Sequence, residues 1–144
     1  MAEAVLRHQI RLKGLEKKIT VDSAGTAMWH EGKPPHQGTR TLLDHHKVSY
    51  HGMTARQIIQ DDFGQFDYII TMDDQNMADI ETEFTISNQV HVSKLMDFVK
   101  NPKEVNVPDP YYTGDFDYTY ELVTEACDNL LAFIQEKHHI NEGE

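Results

Sequence analysis

Residues Asp67 to Met72 read Asp-Tyr-Ile-Ile-Thr-Met, a near-continuous apolar run that is too short to be a helix of its own. Without alternation between polar and apolar positions it suits a strand covered on both faces, as parallel sheets buried between helices require. Downstream, Met77 and Ile80 stand three apart and predict a helix to about Ile80, and Gln-Val-His-Val-Ser at 89 to 93 predicts a short strand. Upstream, Ile-Thr-Val-Asp-Ser-Ala at 19 to 24 opens with β-branched residues and stops at Gly25, which predicts another strand. A helical stretch lies around Arg40 to His46, and Thr54 with Gln57 forms a capping-box pair for a short helix ahead of Asp62.

The two ends are helical. From Met1 to Leu15 apolar pairs recur at helical spacing (Leu6 with Ile10, Leu12 with Leu15), and Gly14 supplies a stop, but no residue caps the start. At the other end Val123, Ala126, Cys127, Leu130, Leu131 and Ile134 form one continuous stripe at i, i+3, i+4, i+7, i+8 and i+11. Residues 101 to 115 contain Pro102, Pro108, Pro110 and Gly114 and read as loop. Strands alternating with helices over the whole length give an α/β domain with a mainly parallel sheet.

The chain has 144 residues, 13 Lys and Arg against 24 Asp and Glu, a formal charge of −11 and one cysteine. That is one domain, long enough to bury about 70% of its unfolded surface without disulfide or metal. A lone cysteine excludes an internal disulfide framework and a Cys-based zinc site. The negative charge argues against nucleic-acid or anionic-membrane partners, both of which reward Lys/Arg stripes. Arg7, Arg11, Lys13, Lys17 and Lys18 read as the solvated face of the first helix. With no long apolar window and no signal-peptide run, a soluble cytoplasmic protein is expected.

Cys127 is the obvious nucleophile candidate, but it lies inside the apolar stripe of the last helix, where a thiol stays protonated. A phosphate-cradling cysteine needs an arginine a short loop away, and six positions on stands Phe133. The nine histidines include the adjacent pairs His45–His46 and His138–His139, which point to different sides of a helix; no metal site is expected. In Val107-Pro108-Asp109-Pro110-Tyr111-Tyr112 each proline holds the residue before it extended. Asp109 is thus a carboxylate on a stiff loop beside two aromatic rings, a setting for a general acid or for no more than a rigid surface turn. Asp22-Ser23-Ala24-Gly25-Thr26 places small and hydroxyl residues at the end of a strand, where parallel sheets hold ligands.

MAEAVLRH at 1 to 8, DSAGTAMWHEGKPPH at 22 to 36, ARQ at 55 to 57, FDYIITMDDQN at 66 to 76 and VPDPYYTGDFDYTYELV at 107 to 123 together resemble the low-molecular-weight protein tyrosine phosphatases, in the right order over nearly the whole chain. The resemblance implies a three-layer α/β sandwich with a small parallel sheet in strand order 2-1-3-4. It also implies Asp109 as general acid, Trp29 and Tyr111 as walls of the substrate pocket, and a phosphotyrosine protein or small aryl phosphate as substrate, without cofactor or metal. In the family a C-x5-R-S loop after the first strand supplies the nucleophilic thiolate and the phosphate-binding arginine, and a proline and Met-Ala-Glu-Ala follow it. Here Met-Ala-Glu-Ala is residues 1 to 4, so a single domain over 1–144 is expected to lack that loop and the first strand. Met53 stands where many relatives have a histidine bracing the loop.

Three readings follow: a phosphatase represented by a shortened chain, inactive in that form; a non-catalytic relative that binds a partner; and an arsenate reductase of related type. The last needs several redox cysteines, and Cys127 is alone.

Overall fold

The computed structural model describes residues 1–26 and 32–142. Its elements, in chain order, are α1 (Ala2–Leu12), α2 (Gln37–His45), α3 (Asp62–Gln65), β1 (Tyr68–Thr71), α4 (Asp74–Glu83), β2 (His91–Lys94), a 3-10 turn (Leu95–Phe98), α5 (Pro110–Thr113) and α6 (Phe116–His138). The apolar run at 67 to 72 is β1, and it pairs in parallel with β2, Tyr68 opposite His91 through Thr71 opposite Lys94.

Burial on both faces explains why this run does not alternate. Ile70 joins the core cluster built from α1 and α6, which includes Ala4, Val5, Val123, Ala126, Cys127 and Leu130. Its neighbour Ile69 points the other way, with Val92, to a second cluster around Phe63 of α3 and Ile80 of α4. Consecutive strand residues thus feed opposite helical layers. The stripe of α6 is buried as its spacing requires, and α6 ends at His139 in the left-handed conformation, φ 55°. The first helix stops at Leu12, two residues before Gly14 takes φ 69°.

Three local expectations are corrected. Ile19–Ala24 forms no regular strand: among the described residues nothing runs beside it, and only Gly25 makes a parallel bridge, to Gln57. A strand is stabilised by its neighbours; lacking one, Ile19 and Val21 pack instead on Ile10, Leu15 and Leu131. The helix expected after Thr54 is absent because that backbone bonds elsewhere, Gly25 N–H to Arg56 O at 2.8 Å, Ile58 N–H to Gly25 O at 2.9 Å and Ala55 N–H to Lys33 O at 2.8 Å. Helix begins only at Asp62. Within the proline-rich loop a turn of helix forms as α5, started by Pro110, which has no N–H to leave unbonded, and closed by Gly114 at φ 76°.

Candidate active site

The strands of a parallel sheet present their carboxyl ends to one side, and there a chain of hydrogen bonds links β1, α4, α6 and the proline-rich segment. Past the end of β1, Asp73 caps α4 by accepting from Asn76 N–H at 2.8 Å, and the Asn76 side-chain Oδ1 accepts from Met72 N–H at 3.2 Å. The Met72 carbonyl accepts from Val107 N–H at 2.8 Å, which pins the proline-rich segment to the end of the strand. Thr119 of α6 holds the same segment from the other side, its hydroxyl donating to Pro108 O at 3.2 Å.

Asp109 follows directly. Its backbone is extended, φ −82° and ψ 111°, as the flanking prolines require, and it caps α5 by accepting at Oδ1 from Tyr111 N–H at 2.9 Å. The carboxylate is exposed, and among the described residues nothing bonds to its other oxygen. Tyr111 and Tyr112 stand beside it with rings 5.3 Å apart, edge to face, and relative exposures of 62% and 83%. Aromatic rings this open, next to a carboxylate with a free oxygen, can receive an aryl group and a proton-demanding oxygen together. Trp29, the other expected wall, lies outside the described residues.

The turn at 22 to 26 is braced by residues that pattern reading did not single out. Ser23 Oγ donates to Glu3 Oε1 at 2.5 Å, joining the turn to the first turn of α1. Arg56 bonds Asp22 Oδ2 through Nε at 3.0 Å and spans both oxygens of Asp62 at 3.0 and 3.1 Å. Burial alone would push the Asp62 carboxyl upward; the Arg56 guanidinium and the Ile59 N–H at 2.9 Å outweigh it and hold the carboxyl below its ordinary value. The bond to Asp62 likewise holds the Arg56 guanidinium above its own. Arg56 and Asp62 are six residues apart, whereas Asp22 is 34 residues from Arg56, and the bridge of Gly25 to Gln57 brings it to them.

A family model for low molecular weight phosphotyrosine protein phosphatase matches residues 1–140. The chain belongs to that phosphatase family. It is 43% identical over 140 residues to the low molecular weight protein-tyrosine-phosphatase YfkJ of Bacillus subtilis, covering 97% of this chain and 90% of that protein. PtpA of Staphylococcus epidermidis, also a low molecular weight protein-tyrosine-phosphatase, is 39% identical over 142 residues, 99% of this chain and 89% of its own length. The crystal structure of YfkJ superimposes with a TM-score of 0.90, over 94% of this chain and 86% of that one. A protein tyrosine phosphatase from Entamoeba histolytica, crystallised with Hepes in its active site, gives a TM-score of 0.87 at 30% identity, over 95% and 88%.

Against the phosphatase framework, Cys127 is buried at 1% exposure in the α1–α6 core, and burial pushes its thiol up to about 12. At neutral pH it carries no thiolate and faces no cleft. Met53 packs in the same core, near Leu43 and Val48. Among the described residues no three His, Cys, Asp or Glu side chains cluster as metal ligands do, and no helix is long and apolar enough to cross a membrane.

Proposed function

We propose that the chain carries the general-acid and substrate-pocket half of a phosphotyrosine hydrolase site. Asp109 is the general acid that protonates the leaving phenol oxygen, and Tyr111 with Trp29 walls the aryl ring. The reaction of the family adds a cysteine thiolate to phosphorus while the P–O bond to the phenol breaks, leaving a cysteinyl-phosphate that water then hydrolyses. Backbone N–H groups and an arginine fork hold the phosphoryl oxygens. The observation that carries this reading is the seat of Asp109: it is fixed through Val107 and Pro108 at the end of β1 and α6, bonded at one oxygen to Tyr111 N–H and open at the other.

The 144 residues contain no C-x5-R-S sequence. Cys127 is buried, so these residues alone turn over no substrate, and residues 1–144 form a single phosphatase-like domain without the family's first strand and phosphate-binding loop. The open edge of β1, paired on one side only among the described residues, favours that reading. A general acid contributes about 10²- to 10⁴-fold, and only to a reaction that a nucleophile has already made available. The physiological substrate is a phosphotyrosine protein or a small aryl phosphate. The second reading, a phosphatase-like protein that binds without catalysis, keeps the same pocket and dispenses with the acid.

The experiment is an assay of the purified chain on a phosphotyrosine mimic, repeated on a version extended in frame to include a C-x5-R-S loop ahead of Met1. No activity in the first is expected. In the second, Asp109→Asn is expected to lower kcat most for poor leaving groups. Equal losses for good and poor leaving groups contradict the acid assignment, and an inactive extended protein favours the binding reading.

A further inference from the structure

His36 stands at the N-cap of α2, where its Nδ1 accepts from Gly38 N–H at 3.1 Å. A cap needs only a small acceptor, and Ser, Thr, Asp or Asn supplies one with less side chain. The imidazole does more than cap. It stacks on Phe116, the first residue of α6, at 5.7 Å and 10°, and it meets the Tyr111 ring of α5 edge-on at 5.2 Å and 82°. One ring thereby touches both elements that flank the turn at Gly114 and Asp115.

The site is shaped for that contact. A Cβ on Gly38 would fall 2.3 to 2.8 Å from three carbons of the Phe116 ring, so the absence of a side chain at 38 is what lets the ring lie against the start of α2. His36 and Tyr111 are both exposed, so burial of apolar area does not explain why they meet. Tyr111 in turn gives its backbone N–H to Asp109 Oδ1. Displacing Tyr111 therefore moves the pocket wall and releases the oxygen that orients the carboxylate.

We propose that His36 is a positioning residue of this site: held by its cap bond, its ring fixes Tyr111 and the start of α6, and so sets where Asp109 and the aryl-facing wall stand relative to each other. The inference rests on the reading of Asp109 and Tyr111 given above. It commits α2, which contributes no group to the chemistry, to defining the width of the aryl pocket.

The test uses the 144-residue chain and three variants. His36→Asn keeps an acceptor for Gly38 N–H and removes the aromatic ring; His36→Phe keeps a ring and removes the acceptor; Gly38→Ala displaces Phe116 by an independent route. Two readouts report on Tyr111: its ring resonances in protein labelled with 13C-tyrosine, assigned with Tyr111→Phe, and the rate of chymotryptic cleavage after Tyr111 and Tyr112 under native conditions. With His36→Asn the Tyr111 signals are expected to move toward those of free tyrosine, with cleavage roughly three- to tenfold faster, the factor an aromatic pair is worth, and an unchanged melting temperature. His36→Phe is expected to restore both readouts, and Gly38→Ala to shift the Tyr111 signals as His36→Asn does. Unmoved Tyr111 signals in His36→Asn overturn the proposal. So does a loss of melting temperature in His36→Phe with no rescue of Tyr111, since that pattern belongs to a cap alone. Neither readout involves turnover, so failure of the phosphatase assay and failure of the positioning role are separately visible.

Discussion

The Lys94 ammonium lies 2.9 Å from the Asp74 carboxylate and 2.9 Å from the Val105 carbonyl, so the last residue of β2 ties the start of α4 to the segment that delivers Asp109. Asn106 closes the triangle, accepting from Lys94 at 3.2 Å and from Asp74 N–H at 3.1 Å. Lys94→Met keeps the stem and removes the bonds. Losing the bond to the Val105 carbonyl is expected to cost about 1–2 kcal/mol, with faster tryptic cleavage after Lys100 and Lys103. An unchanged urea midpoint and cleavage rate would mean that Pro108 and Val107 hold the segment unaided.

The Arg56–Asp62 pair gives an acid limb to the stability curve. The Asp62 carboxyl is held below its ordinary 3.8 in the folded chain, so the unfolded chain binds that proton first as pH falls. The stabilisation is complete above about pH 5 and is lost as pH drops through 4 toward the folded value. Asp62→Asn is expected to lower stability at pH 7 by about 1.5–3 kcal/mol and to flatten the profile below pH 4. The check is chemical denaturation of both proteins from pH 7 to 3; parallel profiles would show that Asp62 titrates alike in both states.

The sequence made the sheet legible where burial leaves a pattern. Tyr68–Thr71 is apolar because Ile69 and Ile70 feed different helical layers, and α6 keeps one stripe because a single layer receives it. Ile19–Ala24 misled because β-branched composition speaks for extended backbone and not for a neighbour to pair with; the segment is irregular and unpaired among the described residues. The capping-box pair at Thr54 and Gln57 lost to backbone bonds with Gly25 and Lys33, partners some 20 to 30 residues away that no local rule sees. Around the proposed site, family resemblance implied the acid role of Asp109, and two local prolines made its extended backbone visible. Glu3, Arg56 and His36 were not, since each acts through a contact made only once the chain has folded.

Cys127 is expected to be inert. With its thiol pushed up to about 12 by burial, alkylation at pH 7 should proceed only through unfolding, so its rate should match global opening measured by denaturant. Cys127→Ala is expected to cost about 1–3 kcal/mol through the cavity left among Ala4, Val123 and Leu130. Fast alkylation of the native protein would sink the core reading.

The amine of Met1 adds a second pH dependence, of the opposite chemical kind. Burial pushes it below its ordinary 8.0, against the opposing pull of the Glu3 carboxylate. In a polypeptide with a free amine at Met1, the unfolded state takes up this proton as pH falls below about 8, while the folded state resists until a lower pH. Below 8 the unfolded state therefore binds more protons, and stability must rise with pH up to that value. This limb lies well above the Asp62 limb, so the two are separable. Thermal melts from pH 6 to 8.5 are expected to show an increasing melting temperature for the free-amine protein. A flatter line is expected for the same protein acetylated at its N-terminus, which removes the charge. If both proteins give the same slope, the Met1 amine titrates alike in the folded and unfolded chain and the buried-amine reading fails.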